Sequence, residues 1–132
     1  MADGSLYCDA SALVKLVREE RETAALLVEL ERWPTQVTSV VGEVEVRRVA
    51  ERAGVAERAG MVLAELSLIE LDDAIRRLAG RVGSRVLRSL DAIHLASAVS
   101  LRDDLGAFCC YDRRLIADAE AAGLTVLSPG LH

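Results

Sequence analysis

Short apolar runs rich in β-branched residues alternate along the chain with longer stretches in which apolar residues recur at spacings of three and four. The runs 6–9, 36–39, 67–71, 107–111 and 125–127 have the length and composition of buried strands. Between them, stretches 10–19, 22–33, 40–53, 56–66, 72–82, 91–100 and 113–122 each carry an apolar stripe and predict amphipathic helices. Strands and helices in alternation build a parallel sheet covered on both faces, so the pattern predicts an α/β sandwich with about five strands. Punctuation agrees with these boundaries. Pro34 follows the second helix, Gly54 and Gly123 suit helix ends, and Asp72 and Ser89 suit helix starts. No linker, repeat or low-complexity segment interrupts the chain, and residues 1–132 read as one domain with a single core.

Composition narrows the function. At 132 residues and 52% hydrophobic, the chain can bury a substantial core, yet no apolar run approaches the roughly 18 residues of a membrane span. Met1-Ala2-Asp3-Gly4 lacks the basic start and apolar stretch of a secretory signal, so the expected location is the cytoplasm, away from membranes. Adjacent Cys109 and Cys110, with Cys8, make neither a disulfide framework nor a CxxC pair and read as small buried hydrophobes. A net charge of −5 excludes a protein that coats nucleic acid by bulk attraction, and 3% aromatic residues exclude a base-stacking platform. A nuclease stays open, because a carboxylate site is itself acidic until a divalent cation enters. Lys15 is the lone lysine, and the other basic residues are arginines.

Candidate chemistry lies in acids at strand exits and helix starts. In an open parallel sheet, reactive groups collect at the carboxyl ends of the strands. Asp9 ends the first strand, Glu45 sits in the helix after the second, Asp91 falls in the first turn of a helix, and Asp112 follows the strand Phe108-Cys109-Cys110-Tyr111. A helix amino terminus tolerates a carboxylate there. Gathering several is otherwise unfavourable, because like charges resist joint ionisation. Mg²⁺ or Mn²⁺ resolves that conflict, since both prefer carboxylate and water oxygens and serve phosphodiester hydrolysis.

At these positions the chain resembles a known family. Tyr7-Cys8-Asp9-Ala10-Ser11-Ala12-Leu13-Val14-Lys15-Leu16, Thr38-Ser39 with Val44-Glu45-Val46-Arg47-Arg48, Leu90-Asp91-Ala92-Ile93-His94-Leu95-Ala96-Ser97-Ala98, and Tyr111-Asp112-Arg113-Arg114-Leu115 resemble the PIN-domain ribonucleases, specifically the VapC toxins. The resemblance spans nearly the whole chain. It implies a PIN-like three-layer α/β/α fold and a Mg²⁺- or Mn²⁺-dependent endoribonuclease. It further implies inhibition by a VapB-type antitoxin, and often a homodimer. Carried over by position, the family's acids match Asp9, Glu45, Asp91 and Asp112, with Asp9, Asp91 and Asp112 as metal ligands. Ser11 matches the small hydroxyl near the metal. Glu43 competes with Glu45, but the spacing from Ser39 and the following Val46-Arg47-Arg48 favour Glu45. Cys110 stands where relatives often carry Thr, and Asp118 is a reserve carboxylate.

Each residue also has a plainer role. Asp9 suits a helix cap, Glu45 a solvated helix face, and Asp91 and Asp112 ordinary helix starts. His94 invites a general-base role, but its neighbours Ile93 and Leu95 favour a packed, hydrogen-bonded imidazole, and His132 is the final residue. Arg113 and Arg114 are placed to meet a backbone phosphate, and Arg48 to orient Glu45 or Asp9. Arg76, Arg77, Arg81, Arg85 and Arg88 read as a solvated face or an RNA-gripping flank. Residues 22–33 carry a broad apolar stripe, fit for core packing or for an antitoxin helix. A haloacid-dehalogenase-type phosphatase needs a second Asp where Ser11 stands, and a receiver domain needs a late lysine that is absent. A noncatalytic PIN-like interaction module is the remaining rival.

Overall fold

The computed structural model describes residues 2–131. Strand β1 (Ser5–Cys8) leads into α1 (Ala10–Val17) and α2 (Thr23–Leu30), and β2 (Thr35–Ser39) into α3 (Val40–Ala53) and α4 (Ala56–Ala64). Next come β3 (Ser67–Ile69), α5 (Asp73–Ala79) and α6 (Ser89–Val99), then β4 (Leu105–Cys109), α7 (Arg113–Ala121) and β5 (Val126–Leu127). The strands form one five-stranded sheet in the order β3-β2-β1-β4-β5, every pair parallel. From β1 the chain steps outward through β2 to β3, then crosses to lay β4 on the other side of β1. The strand order therefore reverses between β1 and β4, where α/β sheets open a crevice at their carboxyl ends.

Side-chain alternation divides the core. Leu6, Cys8, Ala107 and Cys109 face the layer of α1 to α4, where they meet Leu13, Leu26, Val46 and Leu63. Tyr7, Phe108 and Cys110 face the opposite layer and pack on Leu95, Ala98 and Leu115 of α6 and α7. The two adjacent cysteines thus point to opposite faces, and all three cysteines are buried free thiols, as their apolar setting predicts. Among the described residues no helix is long and apolar enough to cross a membrane.

Several predicted boundaries shift for local reasons. The helix expected over 72–82 begins with Asp72 as its cap but stops at Ala79. Gly83 then turns the chain at φ +77, and Asp118 on α7 holds the turn by accepting from the Ser84 N–H at 2.8 Å and its hydroxyl at 3.1 Å. Ser89 does not cap α6: it is the first helical residue, and Arg88 precedes it without a side-chain cap. The strand expected to reach Tyr111 leaves the ladder after Cys109. A 3₁₀ turn at Arg102–Asp104, which hydrophobic spacing does not show, joins α6 to β4.

Gly106 in β4 lies flush against Trp33, and a Cβ there would run into the Trp33 ring and the Asp3 carbonyl oxygen. Gly106→Ala is therefore expected to destabilise by about 1–3 kcal/mol through overpacking. A lowered urea midpoint at unchanged slope is the measurement.

Candidate active site

The β1–β4 switch point gathers the acids. Asp9 directly follows β1, and its N–H bonds to the Cys109 carbonyl of β4 at 3.2 Å. There it caps α1: Oδ1 accepts from the Ala12 N–H at 3.0 Å and from the Ser11 hydroxyl at 2.7 Å. Ser11 in turn accepts from the Tyr111 N–H at 3.0 Å, which ties the exits of β1 and β4 together. Tyr111 is held from two sides, with its hydroxyl donating to the Pro129 carbonyl at 2.8 Å and the Lys15 ammonium 4.5 Å from its ring centre. Asp112, next in the chain, is fixed by that anchor and caps α7 by accepting from Arg114 N–H and Leu115 N–H, both at Oδ1.

Capping and site roles are thus compatible. In Asp9 and Asp112 one oxygen satisfies the helix start, and Oδ2 keeps no helix bond. Asp112 Oδ2 instead faces the Arg88 guanidinium, whose Nη2 is 3.5 Å away, and Arg88 Nε lies 3.6 Å from Asp91 Oδ2. Arg88 therefore spans the third and fourth acids.

Glu45 reaches the group from α3. Its Oε1 is 2.6 Å from Nε2 of His94, which is 1% exposed, and the other ring nitrogen of that histidine is 2.7 Å from the Tyr7 hydroxyl. Glu43 is engaged elsewhere, in an ion pair with Arg47 at 3.0 Å. The geometry separates the two candidate glutamates, because residues two apart on a helix face different ways.

Electrostatics link the four acids. Burial pushes the Asp9 carboxyl up to about 6, helped by the Asp91 charge and opposed by His94 and by the bonds from Ser11 and Ala12. Burial also raises Asp91, and the charges of Asp112 and Glu45 raise it further against Arg88 and His94. Asp91 thus feels all three of the others. Among the described residues no three His, Cys, Asp or Glu side chains lie grouped closely enough to hold a metal ion together. A hydrated Mg²⁺ does not need three, since it keeps several waters and binds through one or two carboxylates. Hard oxygen donors on Asp9, Asp91 and Asp112, carboxyl pKa values raised at Asp9 and Asp91, and Arg88 as counter-charge suit such an ion.

Other residues named from the sequence fall as follows. Arg48 is exposed and bonds neither Glu45 nor Asp9 among the described residues, contrary to expectation. The Glu45 carboxylate turns inward to His94, away from the solvent where Arg48 extends. Arg113 and Arg114 are exposed at the start of α7. A cleft of about 340 Å³ opens beside Asp91, walled by Val86, Leu87, Arg88, Arg114 and Asp118. Asp118 is committed to Ser84, so it serves the loop. Cys110, where relatives often carry Thr, is buried, and burial pushes its thiol pKa up. Arg76, Arg77, Arg81 and Arg85 are exposed, with Arg76 paired to Asp73. His132 lies outside the described residues.

His94 is the packed, hydrogen-bonded imidazole expected of it, but sequence reasoning did not pair it with Tyr7, nor Arg88 with Asp91 and Asp112. One signal was available: His94 stands three residues after Asp91, on the same helix face as that acid.

The PIN domain family model matches residues 6–125. "Ribonuclease VapC47" of Mycobacterium tuberculosis (strain CDC 1551 / Oshkosh) is 40% identical over 95% of this chain and 97% of its own length. A solved toxin–antitoxin complex from Klebsiella pneumoniae shares the fold at TM-score 0.71 and 23% identity, covering 95% of this chain and 97% of that one. Mycobacterium tuberculosis VapC20, a sarcin-ricin loop cleaving toxin, does so at TM-score 0.71 and 16% identity, covering 94% of this chain and 99% of that one.

The Asp9 shift fixes a pH dependence in metal-free protein. Its folded pKa of about 6 exceeds the unfolded value of 3.8, so ionisation favours the unfolded chain. The penalty is absent below pH 4, grows as pH rises through 4 to 6, and is complete above that, at up to about 3 kcal/mol. Asp9→Asn keeps a capping oxygen and carries no charge. In EDTA it is expected to be more stable than wild type at pH 7, with the gap closing by pH 4 in urea unfolding.

Proposed function

This chain belongs to the PIN-domain family and, within it, to the VapC ribonucleases, and on that premise we propose that it is an endoribonuclease toxin that hydrolyses RNA phosphodiesters at the β1–β4 crevice. One observation supports the assignment to residues: Asp91 lies within electrostatic reach of Asp9, Asp112 and Glu45 at the sheet's carboxyl edge, where Asp9 and Asp112 cap helices through one oxygen only. The relatives named ribonucleases support the reaction class.

Asp9, Asp91 and Asp112 would hold Mg²⁺ or Mn²⁺, with Glu45 beside them. The ion, when bound, lowers the pKa of its water and offsets phosphate charge. The protein's own part is positional. Ser11 and the starts of α1 and α7 hold Asp9 and Asp112 in place, and α6 brings Asp91 in its first turn. Glu45 presents a carboxylate oxygen to the water that attacks the phosphorus. Arg88 and Arg114 line the adjoining cleft, where guanidinium groups meet phosphate oxygens. Arg88 balances the charges of Asp91 and Asp112, a role that a bound cation would share.

The partners in this reading are RNA, a VapB-type antitoxin and a second copy of the chain. Leu27 and Val28 on α2 support the antitoxin assignment: Leu26 and Leu30 are buried, while Leu27 is 50% and Val28 69% exposed. An apolar strip left in solvent on one helix suits an amphipathic partner helix.

Two outcomes test this reading. Asp9→Asn and Asp112→Asn should each lose more RNA cleavage than the roughly 10- to 100-fold that loss of an outer-shell partner costs. Cut sites mapped in total RNA after inducing wild type beside Asp9→Asn give the measurement. Full activity of Asp9→Asn in excess Mn²⁺ contradicts the assignment, and a wild type that never cleaves points to the noncatalytic module. Separately, Leu27→Glu should escape a co-expressed inhibitor at unchanged melting temperature, because that side chain is already half in water.

A further inference from the structure

The three aspartates of the site are held by helix starts or by Arg88, but Glu45 has neither. It lies in the second turn of α3, beyond the first-turn amides, on a longer and freer side chain. Fixing such a side chain costs up to about 2 kcal/mol of rotamer freedom. What meets it is a buried histidine whose second nitrogen meets a buried phenol.

Resting on the nuclease reading, we infer that Tyr7 and His94 form a positioning relay that holds Glu45 for the reaction. The relay joins three elements, from β1 through α6 to α3, by bonds of 2.7 and 2.6 Å. Its direction follows from a donor count. An ionised Glu45 only accepts, so Nε2 of His94 carries the proton and donates to Oε1. In a neutral imidazole Nδ1 then needs a donor, and the Tyr7 O–H supplies it. A phenol, whose ordinary pKa is near 10, brings that proton at neutral pH.

The surroundings are shaped for this chain. The Thr38 and Ser97 hydroxyls are buried by the Tyr7 oxygen yet meet no partner at hydrogen-bond geometry, which leaves them as polar groups turned toward that phenol. Tyr7 stacks on Phe108 at 5.3 Å, so its ring is fixed without the hydroxyl. Gly42, one turn before Glu45 on α3, leaves the imidazole its space: a Cβ there would stand 2.5 Å from Thr38 Oγ1 and 3.0 Å from His94 Cε1. None of these features is needed merely to fill the core, where an apolar side chain serves better than a buried imidazole.

His94 and Tyr7 are thus positioning residues that act through Glu45. The test compares wild type, Tyr7→Phe, His94→Leu and His94→Gln by melting temperature, by kcat and KM for RNA cleavage with saturating Mn²⁺, and by ¹⁵N spectra of the histidines. The relay predicts a kcat loss of about 10-fold for Tyr7→Phe and about 100-fold for His94→Leu, at unchanged KM. His94→Gln, whose amide can still donate to Glu45, should regain part of it. The His94 ring should show the Nε2–H form in wild type, and that signature should weaken in Tyr7→Phe. Wild-type kcat in both Tyr7→Phe and His94→Leu overturns the relay while leaving the nuclease intact. So does a kcat loss that merely follows the melting temperature, with His94→Gln no better than His94→Leu. A wild type that does not cleave removes the nuclease reading instead, and the ¹⁵N signature then decides the Tyr7–His94–Glu45 chain alone.

Discussion

Everything at the crevice depends on one constraint: carboxylates that repel one another must share the carboxyl edge of the sheet. Burial raises the Asp91 carboxyl, and the charges of Asp112 and Glu45 raise it further. A protein meets such a cost with fixed dipoles, a cation or bonded protons, and all three are present. Helix starts face Asp9 and Asp112, Arg88 spans Asp91 and Asp112, and His94 bonds Glu45. Each device is modest, since a helix start gives a carboxylate about 0.3–1 kcal/mol and up to about 2 when partly buried. Burial adds its own cost, seen in the raised carboxyl of Asp9, which argues for stability given up to keep charge in place.

Parallel topology explains why the acids are where they are. Strands β1 and β4 are neighbours, yet their chains leave the sheet toward different layers, so the loops after them diverge and expose the edge. The Ser11 hydroxyl closes that gap at one point by donating to Asp9 and accepting from Tyr111. It therefore shapes the site through distance as well as charge, since it sets how far apart the first and fourth acids stand. A cap reading and a site reading of Asp9 had looked like rivals. Two oxygens on one carboxylate make them a single arrangement.

Much of this was legible in the sequence. Alternating periods predict the strand and helix order, and Asp9 and Asp112 lie at the strand exits where the sequence puts them, because both follow from local spacing. The legible part ends where contacts are distant. Tyr7 and His94 are 87 positions apart, and no local pattern pairs them. The stretch after Ala79 has helical spacing, but Asp118, 34 positions beyond Ser84, bends it into a loop. Arg48 stands three residues after Glu45, a spacing that ordinarily lets side chains meet, and it failed as a partner because Glu45 turns inward. Spacing along a helix sets which residues can meet, and the neighbouring element sets which do.

The split between three aspartates and one glutamate follows from the same geometry. An aspartate at a helix start is braced by the backbone itself, so its placement comes with the fold. A glutamate in the second turn of α3 has a longer side chain, and that length brings freedom the backbone cannot remove. Its anchor must be a side chain from another element, buried deeply enough to be rigid and polar enough to donate. His94, next to Tyr7 and opposite the bare backbone of Gly42, meets both conditions. The buried polar cluster beneath α3 is therefore the counterpart, for Glu45, of the helix starts that hold Asp9 and Asp112.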